Sequence, residues 1–305
     1  MTLRYNLMFP TRAVKHWAPW SEGVSIGDIA RRVEDAGFDG FSMSEHPYPD
    51  KQWLAHGGHH AFDPFVSLSF AAAATTRLRV ITYLMVSGYR SPYLAAKSAA
   101  TIDMLSGGRF TLGTGAGYLK SEFDALHADF ARRGSLLDEA IQAWKATWSG
   151  QDHEGSEFGA EDHVALPLPL TPGGPPIWIG GNGAAAQRRV VEVADGWMPM
   201  AASGEMAVIT RARPLEDIAT LGEWVSDVNR RRVDLGRGPA DVSFVPFEAR
   251  LLAGGDCQPF CAAVEPMLAG YADAGVTWIT VEPASRSWRD FRTDVDVIAT
   301  KLIHR

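Results

Sequence analysis

Glu45-His46 follows a short apolar run, Phe38 to Met43, and sets a carboxylate beside an imidazole. An imidazole titrates near neutrality, so this pair can shuttle a proton or hold a developing charge. A buried, hydrogen-bonded histidine without chemistry reads the same way. Gly180-Gly181-Asn182-Gly183 precedes a helix that begins at Ala184. Backbone N–H groups at such a helix start favour an anion such as a phosphate, although a plain strand-to-helix turn also uses glycines. Gly113, Gly115 and Gly117 allow a tight turn and close approach to a flat or charged ligand. Trp17, Trp20, Tyr48 and Trp53 are candidates for the wall of an apolar pocket, and Phe9 ends the first strand beside them. His56, His59 and His60 have no carboxylate or cysteine at ligand spacing, so no metal is expected.

The elements that must position these groups alternate between strand and helix. Leu3–Phe9, Phe38–Met43, Leu78–Val86, Arg109–Leu112, Ile177–Ile179, Gly196–Met198, Val242–Phe247 and Trp278–Val281 read as strands, each nearly continuously apolar. Ser25 to Asp28 marks a helix start, as do Asp63-Pro64 and Ser91-Pro92, where proline falls at a first-turn position. Further helices are expected at 120–126, 136–148, 184–194, 259–274 and 290–303. Gly107-Gly108 supplies the left-handed stop between the helix ending at Leu105 and the fourth strand. Two long irregular stretches remain, at 44–60 and 150–176.

Apolar strands alternating with helices predict a parallel sheet covered on both faces. Eight such units predict an α/β fold of the TIM (β/α)8 class, with insertions at the C-terminal face of the strands and one domain over residues 1–305. An open doubly wound sheet fits less well, because no dinucleotide fingerprint follows the first strand. In a barrel the ligand loops leave the C-terminal strand ends, where Glu45-His46 and both glycine stretches fall.

Composition narrows the partners. Hydrophobic residues make up 46% and charged residues 21% of the 305, as in an ordinary soluble globular chain. A formal charge of −7 argues against nucleic acid, which calls for a basic face. No apolar run approaches a membrane span, and no basic segment leads into an apolar one at the N-terminus. Cys257 and Cys261 read as ordinary thiols of a reducing compartment, and a cytoplasmic location is expected.

The run Leu105 to Phe123 closely resembles the signature of the bacterial luciferase-like flavin and deazaflavin oxidoreductases. Asp63-Pro64-Phe65, Tyr89-Arg90-Ser91-Pro92, Ile177-Trp178-Ile179-Gly180-Gly181 and Ala194-Asp195-Gly196-Trp197 follow in the family's order. Within that superfamily the pattern is most similar to members using coenzyme F420, an 8-hydroxy-5-deazaflavin. The resemblance implies a non-prolyl cis peptide near Tyr83-Leu84 backing the deazaflavin ring, and the cofactor phosphate on Gly180, Gly181, Asn182 and Gly183. It also implies Glu45 against the ring system, His46 in proton transfer or charge stabilisation, and Gly115, Gly117, Tyr118 and Ser121 along the cleft. The implied activity is hydride transfer between C5 of the deazaflavin and a small organic substrate. Phe9, Trp17, Tyr48 and Trp53 would surround that substrate, and a homodimer is implied. Two positions depart from the sugar-phosphate dehydrogenases of this group. Tyr118 stands where they carry a catalytic glutamate, and Ser121 replaces an asparagine. A sugar phosphate is therefore disfavoured, Tyr118 is a substitute donor or a pocket wall, and the proton partner of His46 is open. An FMN-dependent monooxygenase of the same superfamily is the alternative, and a cofactor-free barrel acting as a binding subunit the second.

Overall fold

The computed structural model describes residues 2–304. The strands are β1 (Arg4–Met8), β2 (Gly40–Met43), β3 (Arg79–Thr82, resuming as Met85–Val86), β4 (Phe110–Gly115), β5 (Ile177–Gly180), β6 (Gly196–Met198), β7 (Asp241–Phe244) and β8 (Trp278–Val281). All neighbours pair in parallel, and β1 meets β8 with Asn6 opposite Thr280. The sheet closes through β3 and β4, where Val80 faces Phe110, giving the eight staves of a TIM barrel.

Local chemistry explains the helix bounds. Ser25 and Asp28 form a reciprocal capping box at the start of Ile26–Asp35. Asp63 caps Pro64–Ala74 through the Val66 N–H. Helix Pro92–Ser106 stops at Gly107, whose φ of 70° is left-handed. The expected helix over 259–274 is instead two, Gln258–Val264 and Leu268–Asp273, with a tighter turn at Glu265–Met267. Pro266, which has no N–H to donate, lies at that break. The 44–60 stretch holds a short helix, Lys51–Ala55, capped by Asp50.

Strand periodicity divides the buried residues into two layers. Leu7, Phe41, Val80, Phe110, Ile179 and Phe244 join the core between sheet and helices. Ile81, Trp178, Met198 and Trp278 form a separate cluster inside the barrel, with Tyr83 and Leu84 against it. The interior is more polar than the sequence suggests. Asn6 donates to Ser42 Oγ at 2.9 Å and to Thr280 Oγ1 at 3.1 Å, and Ser243 Oγ lies 2.9 Å from Thr280 Oγ1. These positions alternate with apolar ones, so the buried hydroxyls satisfy each other across neighbouring strands.

The glycine stretch behaves differently from expectation. Gly113 and Gly115 belong to β4, and of the three glycines only Gly117, with φ 82°, is left-handed. A Cβ on Gly113 would stand 2.0 Å from the Thr82 carbonyl oxygen. Thr82 Oγ1 also donates to the Gly113 carbonyl at 2.7 Å. Gly113 therefore admits the neighbouring backbone rather than a ligand. Replacement by alanine must push β3 and β4 apart, and Gly113→Ala is expected to lose about 2–4 kcal/mol of stability or fail to fold. Urea unfolding of the purified variant checks this.

Candidate active site

The C-terminal strand ends surround a cavity of about 580 Å³, within the usual range for a small-molecule site. One wall is the break in β3. The Tyr83–Leu84 peptide there is cis, the arrangement that the family resemblance implies. Leu84 leans across the barrel mouth onto two glycines. A Cβ on Gly180 would meet its side chain at 2.2 Å and one on Gly115 at 3.3 Å. The Tyr83 hydroxyl faces Ser243 and Thr280 in the barrel interior, and burial raises it, which holds it in its neutral form. Tyr83 and Leu84 thus make a ridge anchored from below.

Beside the ridge, His46 Nδ1 lies 2.9 Å from Glu122 Oε2. The Glu122 side chain is fully buried and that of His46 is 9% exposed. Glu122 also accepts the Tyr48 N–H at 2.8 Å and the Tyr89 hydroxyl at 2.9 Å. This carboxylate joins the loop after β2, the segment after β3 and the helix Lys120–Ala125. The His46 ring packs on Trp53, centroids 4.5 Å apart, and edge-on against His59 at 4.8 Å. With Nδ1 fixed by Glu122, Nε2 is the nitrogen left for chemistry. Tyr118, 6.2 Å from the His46 ring, is pushed up to about 12 by burial and by Glu122, so its phenol stays protonated. Burial and the neighbouring His46 push His59 down to about 4.

Glu45 also lines the cavity, with most of its bonding capacity committed to structure. Oε2 accepts the Val86 N–H at 2.7 Å, and Oε1 pairs with the Arg90 guanidinium. It therefore pins the strand just past the cis peptide. Burial pushes Glu45 up to about 7 against the pull of Arg90 and the Val86 N–H. On another edge Glu282 accepts both the Thr11 N–H at 2.8 Å and its hydroxyl at 2.6 Å, and burial raises it as well.

The far end of the cavity suits an anion. Gly181, with φ 112°, turns the chain, and Gly183 is the N-cap of Ala184–Glu192 with no side chain to occupy the helix start. Arg133, Arg189 and Arg211 line the same end. Arg189 is compensated by Asp138 at 2.7 Å.

Of the residues expected from sequence, Glu45, His46, Tyr83, Leu84, Gly115, Gly117, Tyr118, Gly180, Gly181, Asn182 and Gly183 line this one cavity. Others fall outside its lining. Phe9 is buried in a cluster with Trp17, Trp20, Phe41 and Phe62. Tyr48 is 70% exposed, and Trp53 reaches the site only through His46 and His59. The Ser121 hydroxyl bonds to Asp50. The Asn182 amide donates at 2.8 Å to the carbonyls of Met200 and Arg213, so it fastens the next loop and leaves only backbone for a ligand. Glu122, Arg90, Tyr89, Glu282 and the three arginines were not identified from sequence. Tyr89, Arg90 and Glu122 do fall within the runs that resemble the family's motifs, which was the cue available for them.

Residues 16–247 match the model of the luciferase-like monooxygenase family, and the chain belongs to that family. An uncharacterised protein of Mycobacterium tuberculosis is 32% identical over 193 residues, covering 58% of this chain and 67% of the relative. A protein of Beutenbergia cavernae named F420-dependent glucose-6-phosphate dehydrogenase is 30% identical over 226 residues, covering 72% of this chain and 64% of the relative. The crystal structure of the monooxygenase RslO1 from Streptomyces bottropensis superposes with a TM-score of 0.76 at 18% identity, covering 99% of both chains.

The His59 ring has a consequence for acid stability. Between its ordinary 6.5 and about 4 the unfolded chain takes up a proton that the folded site refuses. Folding stability therefore falls as pH drops through that window, by at most about 3 kcal/mol. His59→Gln is expected to remove this part of the acid sensitivity. Comparing the urea midpoints of wild type and variant at pH 7 and near pH 4.5 measures it, and equal losses in both would contradict the assignment.

Proposed function

We propose that this protein is a coenzyme F420-dependent oxidoreductase that moves a hydride between deazaflavin C5 and a small organic substrate. The observation that carries the reading is His46 held through Nδ1 by the fully buried Glu122, beside the Tyr83–Leu84 ridge. When bound, the deazaflavin supplies the two-electron, hydride-carrying chemistry. The residues present fit such a group. Gly115 and Gly180 keep the space around Leu84 free of Cβ atoms, leaving a flat surface for a ring system. The glycine-capped start of Ala184–Glu192 suits the phosphate. The relative from Beutenbergia cavernae supports the deazaflavin over FMN.

The chain's own residues supply the rest. The ridge would orient the ring, and Tyr118 and Gly117 line the cavity where its edge would lie. Glu122 accepts from Nδ1 and directs His46 Nε2 toward the substrate, where it holds the proton of the reacting oxygen or nitrogen. In reduction Nε2 would give that proton to the substrate oxygen or nitrogen, and in oxidation it would take it back. Small alcohols, carbonyls or imines are the matching substrate class.

A second copy of the chain is the partner we assign to the outer face of helices Pro64–Ala74 and Pro92–Ser106. Val66 and Phe70 are each 61% exposed there, Leu94 is 65% and Leu105 76%. Lys97 of the second helix donates to the Leu166 carbonyl, placing exposed Leu166 alongside. An apolar outer face of this extent is the kind that oligomerisation covers, and self-association is the commonest solution.

Fluorescence titration is expected to show micromolar binding of F420 and none of FMN. The reverse would make the protein an FMN monooxygenase, and binding of neither would make it a binding subunit. With an identified substrate, His46→Ala is expected to lower kcat about 10²–10³-fold while the F420 affinity stays within about threefold. Light scattering is expected to give a dimer mass for wild type and a monomer mass for Phe70→Glu.

A further inference from the structure

Two arginines face the cavity with no carboxylate of their own. Arg133 starts the helix Arg133–Trp148, and Arg211 closes Gly204–Thr210 in a left-handed conformation with φ 54°. Their guanidinium carbons lie 4.0 Å and 5.0 Å from the Phe130 ring centroid. Arg133 donates to the carbonyls of Gly117 at 3.0 Å and Phe130 at 2.8 Å. Among the described residues, neither cation forms an ion pair with Asp or Glu within 4.0 Å. Arg189, on the same cavity, does.

Two cations sharing one aromatic plate repel each other. The Phe130 ring offsets part of that cost. Burial, and after it the nearby Arg211, hold Arg133 below the usual arginine range. A single phosphate at the glycine-capped helix start already has backbone donors, so the arginine pair is surplus to it. What the pair suits is further negative charge on the same ligand, in a form that accepts planar, forked hydrogen bonds.

We infer that Arg133 and Arg211 form a second anion site, which binds carboxylates of the deazaflavin's glutamyl tail beyond its phosphate. The inference rests on the proposed F420 dependence and adds to it the part of the cofactor that this chain reads. Arg133 also braces the loop at Gly117, whereas the Arg211 guanidinium has no hydrogen-bond or ion-pair partner among the described residues. Arg211 is therefore the tail-reading residue.

The test is a fluorescence titration of two ligands, F420 carrying several glutamates and its phospholactyl form without any. The proteins are wild type, Arg211→Asn and Arg211→Lys. Asparagine tolerates the left-handed backbone at this position, and thermal unfolding of each variant verifies folding. Wild type is expected to bind the tailed form about tenfold more tightly than the tail-less one. Arg211→Asn should abolish that preference and leave the tail-less form within about twofold, and Arg211→Lys should keep most of it. The preference should also shrink as salt rises. Equal losses for both ligands would move Arg211 to the phosphate and overturn the inference, as would no loss for either. If wild type binds neither form, the F420 reading itself falls and the tail site with it. If it binds both and Arg211→Asn changes nothing, only the tail site falls.

Discussion

The barrel mouth depends on a steric exchange between three strands. β3 breaks at Tyr83–Leu84, and its neighbours give up side chains to make room. Gly113 admits the Thr82 carbonyl, and Gly115 and Gly180 admit Leu84. The polar interior completes the exchange, since the buried Tyr83 hydroxyl faces the hydroxyls of Ser243 and Thr280 rather than apolar side chains. Glu45 secures the far side through the Val86 N–H. One irregularity in one stave thus accounts for glycines on two other strands, hydroxyls on two more, and a buried carboxylate just after β2.

Much of the architecture was legible because it is written locally. Capping residues such as Ser25 and Asp63, the glycine stop at Gly107 and short apolar runs give element type and order without tertiary information. Eight alternating units then leave little choice of closure. The glycine loops were harder. A glycine that turns the chain and a glycine that makes room for a neighbour look identical in sequence, and Gly113 proved to be of the second kind. The inner polar residues were hidden for a related reason, since single hydroxyls scattered among apolar strands gain meaning only once the strands lie side by side.

The site was legible only in half. Glu45, His46 and the 180–183 turn stand at strand ends, where a barrel puts chemistry. Glu122 is 76 positions from His46, in a six-residue helix whose sequence does not say that its carboxylate meets the histidine. The cations at the anion end come from three separate segments, each of which alone reads as solvated surface. Conversely, Phe9 and Trp17 looked like pocket walls because they are aromatic and near the mouth. Packing claimed them instead, since they fill the space between the first loop and the barrel.

The 44–60 loop is latched to the start of Lys120–Ala125 at two points, Glu122 on His46 and the Tyr48 N–H, and Ser121 on Asp50. The two segments therefore form one interlocked module rather than a loop lying over a pocket. Transplanting substrate preference between barrels of this family then means moving 44–60 and 120–123 as a pair. A loop moved alone would arrive without the carboxylate that aims its histidine.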